Sequence, residues 1–418
     1  MAEEQAREYI NSVSEAFNPL WLDRTPEHAL QRVWQRRDPL ATLELVTLGK
    51  AIYKLRKHHA GWLSETIKEV RKEKDRGGHV TEILVCANLK PATGRLVPAP
   101  HKQPGFDARV QFADGIEHVV SVKRHDESAA ERAFQRSCTV AYRELKRHFA
   151  ERRLNRSIFC QFLSTAAPED INRLVKETRV LGRSLGIFSL LNDQVLVTIR
   201  EVYVAGASLS PHFASFDMVV VCPESGTEQT RFQSNLRSAG KSLLNAATHC
   251  GDALRVVYMR VHTSAKIQRL KEFADEALSG QNAGFDALVI HQPVAVINSA
   301  GARVINSVQF AGNSAFFAGV PAGRGYRFNA GFGEFTHKQV ETALVDNQEA
   351  QIAKLDAVYV FQRGDHYVEA VSDGQGSLTG ELSNVAPGVH RHSVVTLPGQ
   401  APFALGGIFP ETETLSIV

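Results

Sequence analysis

The chain reads as an α/β protein: N-terminal helices, a mixed sheet flanked by helices, then a further α/β or α+β region. Three observations predict this. Residues 3–76 carry apolar side chains at helical spacing and run into the Gly77-Gly78 stop. Residues 105–123 break into two short β-type runs joined at Asp114-Gly115. Beyond residue 126, amphipathic helical stretches alternate with apolar β runs. With 418 residues the chain has room for two or three domains, with boundaries expected at 1–78, 79–205 and 206–418.

The elements follow in order. "PLATLELVTLGKAIYKLRKHHAGWLSETIKEV" is helical by its spacing. "HVTEILVCANL" (79–89) is too short an apolar run to separate helix from strand. "KPATG" marks a turn before a strand in "RLVPAP". "FDARVQF" and "EHVVSVK" are the two arms of a hairpin. A long helix is expected over 126–153, a strand at "SIFCQFL", a helix at "PEDINRLVKETRVLGRSL" and a strand at "QVLVTIREVYVAG". "TRFQSNLRSAGKSLLNAATH" then gives a helix and "RVVYMRV" a strand. The phrases "SFDMVVVC", "GFDALVIH" and "KLDAVYVF" each pair an Asp with an apolar run, which raises an internal duplication as one reading and coincidence among buried strands as the other. The Gly-rich stretch 318–335 lacks the spacing of a phosphate-binding loop and reads as a tightly packed loop.

Composition sets limits. The chain is 43% hydrophobic and 22% charged, as in ordinary globular proteins. No apolar run approaches the roughly 20 residues that span a bilayer, and the acidic, amphipathic N-terminus does not resemble a secretory signal. A cytoplasmic location is expected. The five cysteines are scattered and include no CxxC pair, which argues against a disulfide framework or zinc ribbon. The net charge of +3 hides an asymmetry: residues 1–156 hold 28 Lys and Arg against 21 Asp and Glu. The N-terminal part is therefore where a polyanion is expected to bind.

The hairpin carries the chemistry. Side chains alternate faces along a strand, so Glu117, Val119, Ser121 and Lys123 share one face and Asp107, Arg109 and Gln111 share one on the partner. Antiparallel pairing then brings Asp107 to the same open end as Lys123. A carboxylate can hold Mg2+, and a lysine can stabilise charge on a phosphate. A salt bridge at the hairpin mouth is the plain alternative.

The order helix, strand, Asp-bearing strand, Lys-bearing strand, long helix, strand over residues 79–163 resembles the core of the PD-(D/E)xK nuclease superfamily. Gly105-Phe106-Asp107 stand at the "PD" element and Ser121-Val122-Lys123 at "(D/E)xK". Two positions depart from the pattern. Gly105 replaces the proline, which is displaced to Pro104, and Ser121 replaces the second metal-binding acid. The resemblance implies a Mg2+- or Mn2+-dependent endonuclease with Asp107, Lys123, Ser121 and Glu82 at its centre. Glu82, Glu127 or Glu131 would join Asp107 on the metal, with Glu65 or Glu69 replacing Glu82 if 79–89 is a strand. It also implies restriction, repair or phage-defence roles, with DNA favoured over RNA as partner.

The helix after Lys123 adds a second signal. Arg132, Arg136, Arg143, Lys146 and Arg147 fall within an arc of about 100°, and His125 joins them if the helix starts early. Ala130, Phe134, Cys138, Ala141, Leu145 and Phe149 fill another arc. Such a stripe can follow a phosphate backbone, or simply be a solvated face. Two further functions stay open. One is an inactive nuclease fold acting as a nucleic-acid or protein interaction module, with a protein partner or a homo-oligomer. The other is a metabolic α/β enzyme with its site near Asp217, Asp286 and Asp356.

Overall fold

The computed structural model describes residues 3–72, 77–91, 94–100, 105–113, 115–201, 216–250, 253–280, 283–298, 301–314 and 316, with shorter pieces at 326–328, 334–336, 340–345, 352–354, 358–372, 378–395, 403–409, 415 and 417. It is a mixed α/β protein. No helix among these residues is long and apolar enough to cross a membrane.

The N-terminal region is helical as expected: α1 (Glu3–Phe17), α2 (Pro19–Leu22), α3 (Ala29–Gln35), α4 (Pro39–His58) and α5 (Ala60–Lys72). Asp38 caps α4 by accepting from the Ala41 amide at 2.9 Å, with Pro39 in the first turn. Helices α1 and α4 cross at Gly49, where an added Cβ would lie 1.9 Å from the Tyr9 carbonyl oxygen. The ambiguous stretch resolves as a helix, α6 (Gly78–Asn88), followed by the short β1 (Leu89–Pro91).

Next come β2 (Arg95–Pro98), β3 (Ala108–Gln111) and β4 (Glu117–His125), an antiparallel meander. The β3–β4 connection closes with Phe112 N donating to Ile116 O, and Gly115 supplies a φ of 87°. Asp114 lies outside the described residues. The chain then leaves this sheet. Helix α7 (Ala129–Glu151) and β5 (Arg156–Phe162) are followed by α8 (Pro168–Leu181), β6 (Gly186–Leu190), β7 (Val195–Arg200) and β8 (Phe216–Pro223). It returns through α9 (Thr227–Cys250), β9 (Leu254–Val261), α10 (Ile267–Ser279), β10 (Ala287–Asn298) and β11 (Gly301–Gly312). The remaining strands are β12 (Tyr326–Phe328), β13 (Glu334–Thr336), β14 (Val340–Val345), β15 (Ile352–Lys354), β16 (Val358–Ser372), β17 (Leu378–Val395) and β18 (Phe403–Phe409).

Among the described residues two large sheets result. The first has the order β13-β11-β10-β9-β4-β3-β2, and the second β15-β14-β17-β18-β16-β8-β5-β7-β6. Both sheets draw strands from either side of residue 205. The strand parallel to β4 is β9, with Ser121 opposite Val257 and Lys123 opposite Met259. This corrects the expectation for "SIFCQFL": β5 belongs to the second sheet, parallel to β8 and antiparallel to β7. The helix α7 goes with it, burying Phe134, Cys138, Ala141, Leu145 and Phe149 in the core of that sheet. The three Asp-led phrases fall in different settings: β8 and β16 are antiparallel neighbours in the second sheet, β10 lies in the first, and Asp356 lies outside the described residues.

Two cores flank the first sheet. On one face Val120 and Val122 pack with Ile83 and Val85 of α6 and with the N-terminal helices. On the other, Val119 packs with Phe232, Leu236 and Leu243 of α9 and with α10. Most of the Gly-rich stretch 318–335 lies outside the described residues.

Candidate metal centre

The Asp107 hairpin is built differently from the expectation. The Asp107 amide donates to Val120 O at 2.8 Å, although Val120 is registered opposite Ala108. Two residues thus stand against one, the pattern of a β-bulge, which shifts the alternation of faces. The Asp107 carboxylate accepts from the Val122 amide at 2.6 Å and from the Ser121 hydroxyl at 3.4 Å. Its charge and that of Glu82 reach the buried Cys86 of α6, whose thiol is pushed up first by burial and then by these two acids. Asp107 and Glu82 therefore both lie near Cys86. Ser121 and Lys123 alternate with Val122 along β4, and it is the Ser121 hydroxyl, at the position of the expected acid, that meets the Asp107 carboxylate. Among the described residues no salt bridge joins Lys123 to Asp107. Among the described residues, Asp107 and Glu82 join no group of three ligands within metal reach.

A different place gathers such groups. His125 closes β4, His262 follows β9 and Glu224 follows β8, while α7, α9 and α10 all begin there. Ligands of α/β sheets collect beyond the carboxyl ends of parallel strands. Here a cavity of about 40 Å³ is lined by His125, Glu131, Glu224, Glu228, His262 and Tyr359. One water needs on the order of 10–15 Å³ by this measure. The space has room for an ion with a water or two.

Ligand atoms of Glu127, Glu131 and His262 lie within 4.8 Å of one another. Glu131 and His262 are held by bonded neighbours. Ser128 caps α7, its hydroxyl accepting from the Glu131 amide at 2.8 Å, so Glu131 sits in the first turn and Glu127 just before the cap. The Ser264 hydroxyl donates to Glu131 Oε1 and lies 2.7 Å from His262 Nδ1. Gln292, buried on β10, donates to the carbonyls of His262 at 3.0 Å and Ala265 at 2.7 Å, which fixes the turn after β9. Glu131 is 2% exposed. A buried carboxylate is costly unless it is bonded or paired.

The surroundings are acidic and only partly balanced. Burial raises Glu224, and Glu228 adds to that; Arg269, 3.7 Å away, and Lys266 oppose it. The Tyr359 hydroxyl donates to Glu228 and accepts from Ser225 N at 3.2 Å. His125 is lowered to about 4 by burial and by the charge of Arg231, so it is neutral near pH 7. Its ring meets Phe232 and Asn235 inside the protein, so His125 does not extend the cationic stripe as expected. Burial disfavours the charge on Asp126, but Arg124 and Arg260 outweigh it and hold the carboxyl below its usual range.

The stripe itself forms as the spacing predicts. Arg132, Arg136, Arg143 and Arg147 are exposed on α7, and Lys146 lies 5.7 Å from the Tyr142 ring. Of the two acids nearest in sequence, Glu144 turns to Arg179 at 2.8 Å and Glu131 turns inward.

Of the aspartates of the alternative site, Asp286 is held structurally. Asp286 takes two bonds from the Arg255 guanidinium and one from its amide. Asp217 is buried in β8, and Asp356 lies outside the described residues. His262, Glu224, Glu228 and Tyr359 escaped the sequence reading. The one available signal was position: His262 directly follows "RVVYMRV", where an α/β alternation places its ligands. No protein-family model, curated protein or solved structure matches this chain.

Proposed function

We propose that the chain is a metal-dependent hydrolase of nucleic-acid phosphodiesters, with its divalent ion held by Glu127, Glu131 and His262 rather than by Asp107. One observation carries this reading. The two carboxylates stand at the start of the same helix whose exposed face carries Arg132, Arg136, Arg143 and Arg147. The arginines extend about 24 Å along α7 from Glu131 at helical rise. A backbone lying along them would bring a phosphate to the cavity mouth. A divalent ion there would acidify a water and offset phosphate charge. Lys266 and Arg269 add positive charge on the far wall. Glu224, tilted toward its protonated form, can hand a proton to the leaving oxygen. The meander β2-β3-β4, with α6 before it and α9 and the parallel β9 after the excursion, supports a nuclease-type core with a large insertion.

The test is cleavage of single- and double-stranded DNA and RNA by the full chain with Mg2+, Mn2+ or Zn2+. Wild type and Asp107→Asn are expected to cut, and Glu131→Gln is not. The reverse pattern would return the centre to the hairpin. If wild type cuts nothing with any metal, hydrolysis is rejected. The second reading, a binding module on the same fold, would then account for the arginines. Its support is the Asp107 carboxylate, spent on the Val122 amide, beside a serine in the place of the expected acid.

A further inference from the structure

We propose that Lys50, Lys54 and Lys90, together with Asn88, form a second anion site, one that takes a phosphomonoester dianion. It shares no residue with the metal centre or with the arginine stripe of α7.

The site lies where α4 passes the end of α6. Lys50 and Lys54 are one turn apart on α4, so their side chains are neighbours. Asn88 is the last residue of α6 and is 2% exposed, and its Oδ1 accepts from Lys54 Nζ at 3.2 Å. Lys90 follows two residues later, exposed on β1. Lys54 itself is half-buried. Burial first, and then the charges of Lys50 and Lys90, hold its ammonium below the usual lysine range. Nearby cations have acids: Arg56 of α4 pairs with Glu15 and Lys72 of α5 with Glu69. Among the described residues no salt bridge joins Lys50, Lys54 or Lys90 to an acid. An ammonium drawn out of water is costly unless it is paired. The groups on offer are all donors. A lysine only donates, and Asn88, whose oxygen faces Lys54, keeps its NH2. Such a set suits an anion rich in acceptor oxygens. The cations also cluster about Lys54, whereas the α7 arginines follow a line. A phosphomonoester brings roughly −1.5 to −2 charge and three acceptor oxygens to one point. It can be the terminal phosphate of a nucleic acid or that of a small phosphorylated molecule.

The experiment titrates the full chain with inorganic phosphate by calorimetry at about pH 8, where the dianion prevails. Chloride at matched ionic strength is the reference. Phosphate is expected to bind wild type and to raise its Tm above the chloride value. Lys54→Gln and Lys90→Gln should each weaken phosphate by about tenfold or more. Should Lys54→Gln fail to fold, wild type and Lys90→Gln still decide. No heat of phosphate binding and equal Tm in the two salts overturn the proposal. So does a Lys54→Gln chain that binds phosphate like wild type, which would leave Lys54 as a cap on α6. A nucleoside monophosphate and oligonucleotides with a 5′ phosphate, a 3′ phosphate or neither identify the source. Tighter binding of one phosphorylated oligonucleotide, lost in Lys54→Gln, assigns a nucleic-acid end. A mononucleotide that binds through Lys54 when no oligonucleotide does assigns a small molecule. If all oligonucleotides bind alike and Lys54→Gln weakens them alike, the site holds a backbone diester and the proposal falls.

Discussion

The Asp107 carboxylate is hydrogen-bonded to the backbone amide of Val122 at 2.6 Å. β3 begins at Ala108, so this side chain continues the ladder where the strand has stopped. Asp107→Ala would leave a buried amide without its acceptor, at a cost of about 1–3 kcal/mol. Urea unfolding should show that loss, while metal binding at Glu131 stays unchanged. A loss of metal affinity without a loss of stability would assign Asp107 a ligand role instead.

The exposed arginines of α7 should act as a unit on a polyanion. Replacing Arg132, Arg136, Arg143 and Arg147 by Gln is expected to reduce nucleic-acid affinity. The log–log salt slope should flatten by ~0.9 for each duplex phosphate that is no longer neutralised, or ~0.7 for a single strand. Fluorescence anisotropy across a salt series measures both. An unchanged slope would make the stripe a solvated face.

His291 should give the fold an acid-sensitive component. It is buried, with Nε2 2.9 Å from Asn306 Oδ1. Burial lowers it to about 4, against the Asn306 bond and with help from Arg260. The unfolded chain takes the proton below about 6.5, and the folded chain only near 4. The stabilising effect is therefore complete above pH 6.5 and is lost as pH falls toward 4, on the order of 3 kcal/mol. His291→Gln should lie below wild type in stability near pH 7 and close that gap on acidification.

Gly49→Ala should be far worse than a usual helix substitution, which would favour Ala. The new methyl meets the Tyr9 carbonyl, a backbone group that cannot swing aside. Overpacking typically costs 1–3 kcal/mol, and separation of α1 from α4 should place this case at about the upper end. A fall in Tm, with α1 amides exchanging faster, checks it.

What the sequence disclosed was local. The apolar and cationic arcs of α7 follow from a 3.6-residue period, and both appear as read. The hairpin was legible because its arms are adjacent. The bond from the Val122 amide to the Asp107 carboxylate was not, because it depends on a bulge at the start of β3 that alternation alone does not reveal. Nor was the partner of β4. Its parallel neighbour is remote in sequence, while β5, next in line, joins the other sheet. The same distance hid His262 from Glu131. Glu127 and Glu131 could be named as acids near the site, but their third member comes from the far side of the excursion.

That excursion also bears on synthesis. The edge of β4 that faces away from β3 is covered by β9. The ribosome delivers β9 roughly 130 residues later, or about 6–26 s at 5–20 residues per second. Until then "HVVSV" is a bare apolar edge on a nascent chain, open to any other strand that passes. The yield of folded protein should therefore depend on translation speed through residues 126–253 and on chaperone supply, more than on the stability of the finished molecule.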